Sequence, residues 1–142
     1  MKNILWCDCG EKCRGIAPFL LRIMVGVIFF MHGYLKMGDV AGFSGFLGSL
    51  GVPSPEIVGP VIVWLEILGG LVLILGLFTH WAAKLLAVEM LVAVFLIHWQ
   101  NGFFVANNGY EFALLLAVAS AALICLGPGR WSLDEMVFKK RI

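Results

Sequence analysis

Four apolar runs of near-membrane length dominate this chain and decide what it can fold into. They cover roughly 15–37 (GIAPFLLRIMVGVIFFMHGYLKM), 57–78 (IVGPVIVWLEILGGLVLILGLF), 81–99 (WAAKLLAVEMLVAVFLIHW) and 110–127 (YEFALLLAVASAALICLG). A helix crosses the hydrocarbon of a bilayer in about 20 residues, so each run is a candidate span. Hydrocarbon offers no hydrogen bonds, so a spanning backbone must satisfy itself as a helix or a closed barrel. None of the runs alternates polar and apolar residues as a barrel strand does, which leaves helices. Only 13% of the residues are charged and 61% are hydrophobic, whereas a soluble domain carries about 25% charged residues. The expectation is an all-α integral membrane protein, one domain over 1–142, built as a four-transmembrane-helix bundle. The net charge of +1 gives no footprint for nucleic acid, and the bilayer is the first partner.

Basic residues set the expected orientation. With four spans, the tail 1–14, the turn near 79–84 and the tail 128–142 share one side. That side holds Lys2, Lys12, Arg14, Lys84, Arg130, Lys139, Lys140 and Arg141. The positive-inside rule therefore puts both termini in the cytoplasm and the loops 38–56 and 100–109 outside. Lys2, Lys12 and Arg14 ahead of the first run imitate a signal peptide. The run contains Arg22 and His32 and is followed by no clear cleavage site, so it is expected to be retained. Residues 42–50 (GFSGFLGSL) space Phe43, Phe46, Leu47 and Leu50 as a short helix would, either in the interface or tucked into the bundle.

Charged residues inside the runs are the candidate site, because leaving them in hydrocarbon is costly. Counting 1.5 Å per residue places Arg22 about 10 Å, Glu89 about 12 Å and Glu66 about 18 Å from the cytoplasmic edge. A long Arg side chain bridges such a spread, which predicts a buried layer of Arg22, Glu66 and Glu89 with the guanidinium between two carboxylates. The layer reads either as a staple fixing four helices or as a proton relay or polar pocket. The Gly69-Gly70 pair leaves room for close helix approach there. His32 and His98 count to about 25 Å, with Glu111 near them and Lys36 beyond. Asn101 and Tyr110 complete this outer polar pocket. Histidines exchange protons near neutral pH, and a pair at one depth also suits haem or a metal; as a plainer reading, His98 and Trp99 are interfacial anchors.

The cysteines form a third candidate. Cys7, Cys9 and Cys13 (CDCGEKC) precede the first run, and Cys125 ends the fourth on the same expected side. Thiolates suit copper(I), zinc and iron–sulfur clusters, although C-x-C-x3-C matches no standard finger spacing. The glycines of GPGRWSLDE (127–135) read as a helix stop. The chain has no nucleophile elbow and no phosphate loop, and so no self-contained catalytic motif.

Longer stretches carry a resemblance. HGYLKM (32–37), LGVPSPE (50–56), LEILGGLVLILGLFTHWAA (65–83), HWQNGFFVANNGYEFALLL (98–116) and GPGRWSLD (127–134) are similar to the DoxX family from about residue 16 to 134. The resemblance implies a four-helix inner-membrane protein. It also implies redox company, since the family is named for a subunit of an archaeal terminal quinol oxidase and thiosulfate:quinone oxidoreductase. Bacterial members are linked to thiol and oxidative-stress complexes, and some accompany systems making copper-binding peptides. The CDCGEKC stretch lies outside the matched motifs. Two expectations stand side by side: a quinone- or proton-handling subunit accessory to an oxidoreductase partner, or a non-enzymatic anchor or small carrier for a peptide, lipid or metal complex.

Overall fold

The computed structural model describes residues 10–138, with side chains from residue 15 to 137. Its long elements are all helices: α1 (Gly10–Met37), α2 (Val40–Ser49), α3 (Pro55–Leu75), α4 (Thr79–Ala93), α5 (Glu111–Leu126) and the short α6 (Leu133–Phe138). After α4 the same rod continues through a π turn, Val94–His98, and a 3₁₀ turn, Trp99–Asn101. Among the described residues, three helical rods are long and apolar enough to cross a membrane: Gly15–Met37, Pro55–Leu75 and Thr79–Asn101. The fourth apolar run forms α5, whose 16 residues reach about 24 Å.

Four helices close a ring in which α1 packs on α3, α3 on α4, α4 on α5, and α5 back on α1. Val25, Phe29, Leu73, Leu86, Leu116 and Leu123 fill its centre. Outside, apolar side chains stand bare on every helix, among them Leu20, Met24, Leu68, Val88, Phe95 and Leu115. An apolar girdle of that size is stable only with lipid as its solvent. Tryptophans and cations mark its ends. Lys84 lies over Trp81 at 4.7 Å and Arg130 over Trp131 at 6.0 Å, while Trp99 stacks on Tyr110 at the other end, 5.2 Å between centroids. These are the residues a headgroup region favours. The chain is thus a helical membrane bundle. Its two ends are named below for the described chain ends (the termini end) and for the α1–α3 and α4–α5 connections (the loop end).

Glycine sets how closely the helices approach. A methyl group on Gly70 would stand 2.6 Å from the Gly26 carbonyl and from the Phe30 amide; one on Gly33 would stand 2.9 Å from Glu66 Cβ. The α1 and α3 backbones therefore touch along Gly26, Gly33 and Gly70. Gly69 faces the other way, with Leu86 of α4 3.2 Å from where its Cβ would be. The pair GG thus serves two neighbours, and small residues of this kind let helices pack without a hydrophobic driving force.

At the termini end, Arg22 is fully buried and works on backbone. Its Nη1 donates to the carbonyls of Leu73 (3.2 Å) and Ile74 (3.1 Å). Its Nη2 donates to those of Arg130 (3.2 Å) and Trp131 (2.7 Å). Helix α3 ends there at Gly76, φ 66°, with Gly76 N–H bonded to Leu73 O and Leu77 N–H to Val72 O. Those two bonds form a Schellman end, and the guanidinium adds a second donor to Leu73 O and meets Ile74 O in the last turn. Asp134 accepts from the amides of Phe78 (2.7 Å) and Thr79 (2.9 Å), capping α4 from the far end of the sequence. Arg130 N–H bonds Gly15 O at 3.0 Å. One guanidinium and one carboxylate thereby fasten α1, the α3–α4 turn and the segment after α5 together.

Two stability measurements follow from these contacts. Gly70→Ala is expected to cost about 1–3 kcal/mol, because its methyl meets rigid backbone, and Gly69→Ala much less, because Leu86 can turn aside. Thermal unfolding in detergent checks the order, and equal losses would show that the seam is looser than described. Arg22→Lys is expected to unfold several degrees lower than wild type, since an ammonium cannot reproduce the planar fork over four carbonyls.

Candidate functional site

The ring is closed at the termini end and widens toward the loop end, where it holds a cavity of about 720 Å³ beneath Val105, Asn108 and Gly109. That volume lies in the range of small-molecule sites. Most of its wall is apolar, with Phe29, Phe43, Leu65, Met90 and Phe112 prominent. Set into that wall are His32 and Lys36 of α1, Glu66 of α3, Glu89 of α4 and His98 of the π turn.

The register of the glycine seam places these groups. Because Gly33 lies against Glu66, Lys36, three residues further on, curls its side chain back to the carboxylate. Lys36 Nζ donates to Glu66 Oε1 at 2.6 Å, with the Lys36 side chain 27% and the Glu66 side chain 2% exposed. The Phe43 ring of α2 lies 5.0 Å from the same ammonium, a cation–π contact. From α4, the Glu89 carboxyl reaches within hydrogen-bonding range of Glu66. Glu66 Oε2 and Glu89 Oε2 are both buried and neither receives a hydrogen bond. Two carboxyls and one ammonium are electrically neutral only with one proton on the carboxyl pair, and such a proton would bond the two acids. The two acids thus face each other with buried oxygens that no other group satisfies, beside an apolar cavity.

His98 is held differently. Its Nδ1 stands 2.8 Å from the carbonyl oxygen of Asn108. A carbonyl only accepts, so in the neutral ring Nδ1 carries the hydrogen and Nε2 keeps a lone pair. The π turn beneath it is of a kind frequent at functional sites. His32, one helical turn before Lys36, lies with its ring centroid 5.8 Å from that of Phe112.

Two expectations from depth counting are corrected by these positions. Arg22 is not a neighbour of Glu66 and Glu89. It lies level with the end of α3, eleven residues, or about 16 Å, from the Gly33 level where Glu66 sits. Equal starting planes were the faulty premise: α1 runs well past the end of α3, and the 130–132 segment covers the overhang. Second, the outer group and the buried carboxyls share one cavity, with Lys36 as their link. The other outer candidates brace the roof. Glu111 accepts from Val105 N–H at 2.6 Å, Asn101 donates to Asn108 O at 3.2 Å, and Tyr110 stacks on Trp99.

Phe43, read from the spacing of α2, and Asn108 belong to the site, as does Phe112, which carries no sequence signal beyond its nearness to Glu111. Cys7 and Cys9 lie outside the described residues, as does the Cys13 side chain; Cys125 is exposed at the end of α5. Among the described residues no three His, Cys, Asp or Glu side chains are grouped to hold a metal ion.

Comparison with known proteins places this bundle in a family. The DoxX family model matches residues 17–99. An uncharacterised protein of Haemophilus influenzae is 38% identical over 134 residues, covering 92% of this chain and 97% of the relative. "Putative oxidoreductase CatD" of Bacillus subtilis is 34% identical, covering 91% and 92%. "Inner membrane protein YqjF" of Escherichia coli is 28% identical, covering 92% and 98%. No solved structure matches the chain. Matched over more than half its length by the family model, and nearly end to end by these relatives, the chain is a multi-pass inner-membrane protein that belongs to the DoxX family.

Proposed function

We propose that this protein is a membrane subunit that binds a quinol in its cavity and takes up the protons released on oxidation, as an accessory to an oxidoreductase system. One observation carries the reading: a buried pair of facing carboxyls with unpartnered oxygens at the side of an apolar cavity large enough for a quinone head. The name of the Bacillus subtilis relative points in the same direction. Oxidation of a quinol to a quinone releases two protons and two electrons. The carboxyl pair, already holding one proton, accepts one more, and His98 Nε2 accepts the other. The electrons pass to the partner oxidoreductase, since the sequence has no haem or flavin motif of its own. Lys36 keeps Glu66 oriented and offsets its charge in a site where water cannot.

The basic residues orient this machine with both termini in the cytoplasm and the cavity in the outer half of the bilayer. In that arrangement the protein is one membrane domain, with outer loops at 38–56 and 100–109. The carboxyl pair then lies beneath the outer surface, beyond the Val25–Leu123 core that closes the cytoplasmic half.

Gently purified protein is expected to retain quinone near one per chain, measured by extraction and mass spectrometry. Glu66→Gln and Glu89→Gln are each expected to weaken quinol binding about tenfold or more, as loss of a charge-assisted hydrogen bond does. Binding as tight as wild type in folded variants would overturn the reading. Lys36→Met leaves a buried carboxylate without its cation and is expected to cost about 3–5 kcal/mol. The double variant Lys36→Met with Glu66→Gln is expected to recover much of that loss in thermal unfolding, and no recovery would show that the pair does not act as a unit.

A further inference from the structure

The cavity has a side opening. Val88, Val92 and Leu96 of the α4 rod line it, yet they are 60%, 53% and 37% exposed. Across from them, Phe46 of α2 lines the cavity and is 44% exposed. Helix α2 packs on α3 through Ser44 against Gly59 and Pro55 against Gly48, and it forms no comparable packing with α4. The gap between α2 and the α4 rod therefore faces lipid. The same Val88, Val92 and Leu96, joined by Leu91 and Phe95, line a shallow apolar groove on the outside of the rod. Cavity and groove meet at these three side chains. Toward the loop end, Val105, Asn108 and Gly109 line the cavity as a roof, braced by the bonds of Asn101 and Glu111.

We infer that the site is supplied sideways from the bilayer, and that its ligand is an isoprenoid-tailed quinol. Its head lies against Glu66 and Glu89, and its tail leaves between α2 and α4 along the Val88–Leu96 groove. This rests on the quinol reading above and adds the route and the shape of the molecule. A roofed apolar cavity with a lipid-facing slot suits a compact donor head on a long apolar chain. It does not suit a water-soluble substrate, which would have to cross either the roof or the hydrocarbon. The groove adds little affinity, because a tail is as well solvated by lipid as by valine and leucine. Its effect is to fix where the tail lies, while the head supplies the binding energy through the unpartnered carboxyl oxygens.

The location of the tail is therefore what to measure. A benzophenone amino acid replaces Val92 in the slot or, separately, Val118 on the lipid face of α5, which is 59% exposed. Both full-length proteins go into phosphatidylethanolamine–phosphatidylglycerol vesicles containing an isoprenoid quinol, and adducts are identified by mass spectrometry after illumination. Quinol adducts at 92 are expected to exceed those at 118 by about tenfold, a difference that specific occupancy readily gives. Glu66→Gln combined with Glu89→Gln is expected to bring position 92 down to the level of 118. Equal labelling at the two positions, in a protein shown by extraction to hold quinol, overturns the slot and leaves the quinol reading standing. Enrichment of phospholipid in place of quinol at 92 overturns the quinol as ligand, and the proposed function with it.

Discussion

Backbone contact between α1 and α3 determines where every charged group in this bundle ends up. Three glycines, Gly26, Gly33 and Gly70, remove the side chains that would hold the helices apart. The two rods then slide to the one register in which backbone meets backbone. In that register Gly33 lies beside Glu66, so Lys36 is the cation within reach and Arg22 is far away. Helices in a membrane have no water to drive them together, so close packing and polar bonds must fix their alignment. Here the glycine seam supplies the first and the Lys36–Glu66 pair the second.

The two ends of the molecule use their buried charges in opposite ways. Arg22 spends its two Nη groups on carbonyls at the end of α3 and in the segment after α5, and Asp134 spends its oxygens on amides at the start of α4. Those charges are absorbed by backbone at helix ends and turns, which is structural work. At the other end the carboxyls of Glu66 and Glu89 face each other and keep an oxygen apiece without a donor. Leaving buried acceptors unmet costs stability. Arg22 Nε is likewise buried without a partner, so what separates the acids from the arginine is their place in the wall of a cavity.

Much of the architecture was legible before any coordinates. Apolar runs gave the helices, GPG at 127–129 gave the break after the last of them, and the spacing of Phe43, Phe46 and Leu47 gave α2. Glu66, Glu89, Lys36, His32 and His98 were all picked out as groups that hydrocarbon does not tolerate idly. Their grouping was read less well. Counting residues from assumed membrane edges treats every helix as starting in one plane, and α1 and α3 do not. The error of about 8 Å in relative depth, between the 8 Å counted and the 16 Å in the fold, moved Arg22 into the wrong company. The π turn that presents His98, and the Asn108 carbonyl that fixes its tautomer, leave no pattern in a periodic apolar run.

What the sequence by itself determined is the solvent and the secondary structure, because both follow from the hydrophobicity and length of each segment taken alone. It also determined which side chains could not be indifferent to their burial. Which of them meet was decided only by the tertiary structure. A salt bridge has a reach of a few ångströms, and the axial offset between two helices is set by distant glycine contacts that no single segment encodes. Lys36 rather than Arg22 faces Glu66 for that reason, and the cavity lies where α2 stands away from α4.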